Sequence, residues 1–176
     1  MKRLAVLLGV TALTLAVVPS VFAASPAPTQ SIVQIATANG SFKTLLAAVG
    51  CADPAVGAAL TGKGPLTVFA PTDAAFAKAN LTPANVCTAL PKATLTKVLL
   101  YHVVPGSLPA SAVLPAKGQI RSLKTVLGQY IAVNQGGTIF TTSGNTAGIM
   151  VKEKLFNIAA TNGMIHVVDA VLMPAL

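Results

Sequence analysis

Near residue 102 the hydrophobic pattern of this chain changes period, and no other feature limits its possible folds as much. Before that point apolar residues recur at helical spacing. Phe42, Leu45, Leu46 and Val49 share one face of a segment that Ser41 caps and Gly50 ends, and Leu95, Val98 and Leu99 form a stripe within Lys92 to Leu100. Asp53-Pro54 and Thr82-Pro83 each set a capping residue before a proline at the first helical position. After residue 105 the period is two. Ile120 to Leu123, Tyr130 to Asn134, Thr138 to Thr141, Ile149 to Lys152 and Ile165 to Val171 read as strands rich in β-branched residues. Asn134-Gln135-Gly136-Gly137 and Asn162-Gly163 read as hairpin turns, the second of a kind that needs positive φ at both residues. Leu66 to Ala70 is a strand set among helices, so it has to join the later sheet. The class is α+β: a helical N-terminal half packed on a mostly antiparallel sheet.

The first residues read as an address rather than as part of that fold. Lys2 and Arg3 precede the uncharged run Leu4 to Val18, Pro19 breaks it, and Val21-Phe22-Ala23 supplies small residues where a signal peptidase reads. Residues 1–23 are therefore expected to be a secretory signal peptide, since the run is shorter than the roughly 20 residues that span a bilayer. Residues 24–30, with Ser25-Pro26-Ala27-Pro28-Thr29, read as an extended linker, and residues 31–174 as one domain long enough to bury its own core. No later stretch is long and apolar enough for a stable membrane span. The expected location is the periplasm, the cell surface or the medium.

Export gives the charges and the cysteines their meaning. Of 12 basic residues, loss of Lys2 and Arg3 leaves 10 against four acidic ones, a net charge of +6. The basic residues are scattered, apart from Lys152 with Lys154 and the group Lys117, Arg121 and Lys124. A nucleic-acid groove is marked by clustering rather than by total charge, so weak attraction to anionic walls, polysaccharides or headgroups is the better reading. Cys51 and Cys87 are the two cysteines, and in an oxidising compartment they are expected to pair. Neither CxxC spacing nor a Cys/His cluster points to a metal.

The stretch Gly64 to Lys78 poses the question of catalysis, because a strand ends there in Pro71-Thr72-Asp73. Structural roles account for each residue. Proline suits a strand end, Thr72 is placed to cap the next helix, and Asp73 meets the positive end of that helix. A carboxylate dyad needs a partner, and Asp53, Glu153 and Asp169 sit in no matching motif. GxSxG, phosphate-loop and dinucleotide fingerprints are absent from the sequence. His102 falls on the apolar stripe of its helix and reads as buried and neutral, whereas Tyr101 points elsewhere. His166 lies in the last strand with Asp169 nearby, and a third metal ligand is missing.

Four stretches carry a resemblance: "GKGPLTVFAPTDAAFAK", "LTPANV", "LTKVLLYHVVPG" and "ATNGMIHVVDAVLMP". In content, order and spacing they resemble the fasciclin domain, from about Ile32 to Pro174. The resemblance implies a compact wedge of β-sheet with helices packed on it. It also implies extracellular adhesion to matrix, cell-wall or cell-surface partners, without catalysis and without a cofactor. In animal members a tyrosine–histidine region and an Asp-Ile pair are linked to integrin binding. Those positions fall here on Tyr101, His102, Asn157 and Ile158, with Asn157 in place of the acid. Some algal members are secreted carotenoid-binding proteins, which makes a carrier of an apolar ligand such as a carotenoid the alternative expectation.

Overall fold

The computed structural model describes residues 27–175 apart from residue 63 and residues 152–154. The expected signal peptide, residues 24–26 of the linker, and Lys152, Glu153 and Lys154 lie outside the described residues.

Two four-stranded sheets organise the chain. The first has the order β2 (Val103–Pro105), β1 (Leu66–Pro71), β8 (Gly163–Val168) and β7 (Ile158–Ala160). The second is a meander of β3 (Ile120–Lys124), β4 (Tyr130–Asn134), β5 (Thr138–Phe140) and β6 (Thr146–Gly148). The helices are α1 (Ile32–Asn39), α2 (Lys43–Cys51), α3 (Pro54–Thr61), α4 (Asp73–Lys78), α5 (Val86–Ala89), α6 (Lys92–Tyr101) and α7 (Ala110–Val113). The early strand β1 does join strands from the end of the chain. It runs antiparallel to β2 and parallel to β8, the one parallel pair among otherwise antiparallel ladders.

Strand alternation sends the two faces of β1 into two different cores. Val68 and Ala70, with Ile165 and Val167 of β8, pack against Phe42, Leu45, Leu95 and Leu99 of the helical layer. Phe69, with Val168, packs against Ile131, Val133 and Ile139 of the second sheet. A strand covered on both faces loses the polar–apolar alternation and reads as a continuous apolar run, as "LTVFAP" does. The second sheet keeps its alternation because one face is in solvent. β4 runs exposed, buried, intermediate, buried, intermediate from Tyr130 to Asn134.

Several boundaries differ from the sequence expectation, each for a local reason. Ser41 does not cap α2. The N-cap is Phe42, without a side-chain bond, and the helix continues through Gly50 to Cys51. At Thr82-Pro83 the chain makes a turn first, in which Asn85 Oδ1 accepts from the Thr82 N–H at 2.7 Å, and the helix starts only at Val86. The strand expected from Ile149 is displaced to β6, leaving Ile149 with a single bridge to Val168, and β8 stops at Val168. The three-residue strands β2 and β7 are too short to show a period.

The expected Asn162-Gly163 turn is also corrected. Ala160 pairs with Gly163, so the two loop residues are Thr161 and Asn162, and Gly163 is the first residue of β8. Asn162 is not among the positive-φ residues, so the turn is not of the mirror-image type. Glycine is required at 163 for another reason. Its φ is +155°, and a Cβ there would lie 1.9 Å from the Leu66 carbonyl oxygen of β1. Cys51 and Cys87 are joined as a disulfide that ties α2 to α5, with Cα atoms 5.6 Å apart.

Two measurements follow. Gly163→Val should destabilise by more than about 4 kcal/mol, because backbone atoms of β1 cannot move aside without losing the β1–β8 ladder. A melting temperature within 2 or 3 °C of wild type, on the order of 0.5 kcal/mol, would refute that close approach. Reduction of the disulfide should lower stability by about 4 kcal/mol in the chain-entropy picture of a 36-residue separation, read as a shift in denaturant midpoint.

Candidate functional site

The Pro71-Thr72-Asp73 corner connects elements rather than presenting a reactive group. Thr72 is the N-cap of α4, its hydroxyl accepting from the Ala75 N–H at 3.2 Å. Asp73 begins α4 but serves a different helix. Its carboxylate accepts from the N–H groups of Lys43 at 3.3 Å and Thr44 at 2.7 Å, the first turn of α2. In return the Asp73 N–H donates to the Ser41 carbonyl at 2.8 Å. The cap that α2 lacks in its own sequence is thus supplied from residue 73. Partial burial pushes the Asp73 carboxyl up, but the Thr44 and Lys43 N–H groups and the Lys43 charge outweigh it and hold the group below the usual carboxylate range.

Asn162 makes a second connection of this kind. Its Oδ1 accepts from the Ile32 N–H at 3.0 Å, the start of α1, and its Nδ2 donates to the Leu60 carbonyl at 2.8 Å, near the end of α3. Its own carbonyl accepts from the Leu66 N–H at 3.1 Å. One loop residue therefore fixes two helices and β1.

Both histidines are buried, and both ring nitrogens of each are engaged. Nδ1–H of His102 donates to the Val98 carbonyl at 2.7 Å, and Nε2 accepts from the Leu172 N–H at 2.9 Å. In His166 the tautomer is reversed. Nδ1 accepts from the Asn157 N–H at 3.1 Å and Nε2–H donates to the Leu108 carbonyl at 3.0 Å. A proton added to either ring would face an N–H donor. Burial lowers the His102 pKa to about 4 against the opposing pull of the Val98 carbonyl. Burial likewise lowers that of His166, opposed by the Leu108 carbonyl.

The expected contact set does not form one surface. Tyr101, a candidate contact residue because it lies off the apolar stripe that takes His102, is 0% exposed beneath the second sheet. Its hydroxyl donates to the Tyr130 carbonyl at 2.9 Å and accepts from the Thr142 N–H at 3.1 Å. The end of α6 meets both cores, Val98 and Leu99 in one and Tyr101 in the other, so leaving the first apolar stripe did not take Tyr101 to water. His102 is equally closed to a partner. Asn157 is exposed, with φ +60°, and its Oδ1 accepts from the Ala110 N–H at 2.8 Å, so it holds α7 in place. Ile158 pairs with Ile165 and is half-buried. Asp169 was expected beside His166. Instead its Oδ1 accepts from the Gly148 N–H at 2.6 Å, and its carboxylate lies 3.7 Å from Lys78 Nζ.

What stands in solvent lies elsewhere. On the outer face of the second sheet Ile120 is 66%, Tyr130 53% and Phe140 41% exposed. Strand alternation gave these positions their outward direction, but nothing in the sequence separated them from ordinary surface residues. An apolar cavity of about 50 Å³ lies between α1, α2 and the first sheet, lined by Ile32, Phe42, Leu45, Leu99, Ile165 and the edge of His102 among others. Among the described residues there is no group of three or more His, Cys, Asp or Glu side chains that could hold a metal ion. None of the helices described is long and apolar enough to cross a membrane.

Known proteins share this architecture. The sequence pattern of the Fasciclin domain matches residues 40–174. Protein sll1483 of Synechocystis is 36% identical over 153 residues, covering 83% of this chain and 74% of that protein. Human periostin is 34% identical over 136 residues, covering 76% of this chain but 15% of its own length, and MPB70 of Mycobacterium bovis is 31% identical over 144 residues, covering 79% and 66%. The solved FAS1 domain pair of the insect cell adhesion molecule fasciclin I superposes with a TM-score of 0.55 at 18% identity, over 77% of this chain and 46% of that one, a likeness of fold.

The buried histidines set a pH dependence. Their folded pKa values lie below the unfolded value near 6.5, so their contribution is complete above that pH and is lost as pH falls toward 4. His102 alone should account for about 3 kcal/mol across this window. Denaturant midpoints at pH 7.5, 6 and 4.5 should fall steadily, whereas Asp73 titrates only below this range. A flat profile down to pH 4.5 would show that the rings are not held neutral. Asp73→Ala should cost about 1–2 kcal/mol by freeing the first turn of α2.

Proposed function

The chain belongs to the fasciclin domain family, and from that premise we propose that it is an exported, non-catalytic interaction module. Its partners are matrix, cell-wall or cell-surface molecules. One contrast carries this reading. Polar side chains of the family motifs (Thr72, Asp73, His102, Asn162, His166) are bonded to backbone inside the fold, while large apolar side chains stand in solvent on one sheet. A site for chemistry leaves polar groups unsatisfied until substrate arrives, whereas an adhesive surface exposes apolar area on a rigid support. The exposed apolar side chains of the second sheet support the adhesive reading. That fasciclin I is a cell adhesion molecule agrees with this reading, as does the signal-peptide pattern of residues 1–23.

A second reading, a carrier of an apolar ligand such as a carotenoid, is supported by the apolar cavity beside α1 and α2. At about 50 Å³ it is far below the roughly 300–1,000 Å³ of ordinary ligand pockets. A polyene would enter only if α1 moved away from the sheet.

The test is retention on the envelope of the organism that makes the protein. Mature protein should sediment with washed envelopes saturably, and heat-unfolded protein should not compete. Absence of saturable retention, together with a visible absorption band in natively purified protein, would replace the first reading by the second.

A further inference from the structure

The outer face of the second sheet combines three features that the fold itself does not need. The first is aromatic. Phe140 of β5 lies opposite Ala132 of β4, and Tyr130 is two residues along β4 on the same face, so the two rings are diagonal neighbours with only a small side chain between them. The tyrosine hydroxyl that supports this strand from below, that of Tyr101, is bonded to the Tyr130 carbonyl. The platform is therefore held from the core side while its rings stand in water.

The second feature is charge. β3 is the edge strand of this sheet, and Lys124 pairs directly with Tyr130 across it. Lys117 is exposed just before β3, whereas Arg121, although exposed, pairs with Val133 and so belongs to the opposite row. Among the described residues the one ion pair is Lys78–Asp169, so these three cations are not neutralised there. Of the described acids, Asp53 and Asp73 cap helices of the other layer, and Asp169 sits against β6, the opposite edge. The third feature is hydroxyl and amide lining. Ser122, Thr138 and Thr146 share the outward rows, and a shallow depression of about 340 Å³ at the end of the β3–β4 pair is lined by Gln119, Asn134 and Gln135 among others.

We propose that this face binds an acidic polysaccharide, with Tyr130 and Phe140 as stacking platforms and with Lys124 beside Tyr130 and Lys117 before the start of β3 as the cations for its carboxylate, sulfate or phosphate groups. The inference rests on the interaction-module reading and names its surface and partner chemistry. A pyranose ring has an apolar C–H face that packs on an aromatic ring and a hydroxylated rim that bonds to amides and hydroxyls. An acidic chain adds a row of anions, and these cations supply both attraction and steering. Charge complementarity thus selects this occupant. A second copy of the chain would bring the same cations against one another along the edge, which exposed Lys and Arg on an edge strand disfavour.

The experiment uses mature protein and three probes of different anion chemistry: alginate, heparin and a polyol-phosphate teichoic acid. Neutral dextran, anionic phospholipid vesicles and a single-stranded oligonucleotide serve as competitors. At least one acidic polysaccharide should bind at low salt and dextran should not, with affinity falling severalfold between 50 and about 200 mM salt as the screening length around these exposed charges shortens. Tyr130→Ala with Phe140→Ala should weaken binding at least tenfold, and Lys117→Gln with Lys124→Gln should do the same, each with melting unchanged because the side chains are exposed. Undiminished binding by both double variants overturns the proposal, as does tighter binding to vesicles or oligonucleotide, or a dimer whose interface buries Tyr130. Failure of all three polysaccharides while envelope retention persists removes this face and leaves the interaction module standing. Loss of envelope retention removes both.

Discussion

The parallel pairing of β1 with β8 is the contact on which the rest of the molecule depends. It joins residues 66–71 to residues 163–168, so the strand that leaves the helical half is fixed by the last strand of the chain. Because β1 is covered on both faces, Val68 and Ala70 belong to one core and Phe69 to the other, and loss of register by one residue would exchange them. The Leu66 carbonyl closes on Gly163 so tightly that no side chain fits between them. The ladder is therefore set at its first rung by the one residue without a Cβ.

Around that ladder a few polar side chains act across the chain rather than along it. Asp73 caps a helix that begins thirty residues earlier by number, and Asn162 holds the start of α1 and the end of α3. His102 reaches Leu172, and His166 reaches Leu108. Each partner is a backbone group, and where it is buried, as the Leu172 N–H is, leaving it unpaired costs about 1–3 kcal/mol. These bonds align short helices that could not persist alone. The sequence boxes that mark the family are in this sense the boxes that assemble the scaffold.

Binding then falls to what the scaffold exposes. The second sheet packs Ile131, Val133 and Ile139 inward and leaves Tyr130 and Phe140 outside, a division made by the two-residue period of its strands. Tyr101, expected as a contact residue, lies one layer deeper and bonds to the backbone of the exposed Tyr130. The same region is thus involved in both the expected and the observed arrangement, through a different residue.

The sequence by itself determined the α+β class, the change from helical to strand period near residue 102, the caps at Asp53 and Thr72, and the strands that begin at Ile120 and Tyr130. Those features are local. They follow from periodicity and from side chains that bond to backbone a few residues away, and a single stretch of chain contains all the information. Tertiary structure alone decided that Asp73 caps α2, that Gly163 faces a carbonyl rather than turning a hairpin, and that Tyr101 is enclosed. In each case the deciding atom comes from another part of the chain, 29 residues away for Thr44 and Asp73. A residue's own neighbours in sequence carry no record of such an atom, because burial and long-range hydrogen bonding are set by which elements pack together and not by any one of them.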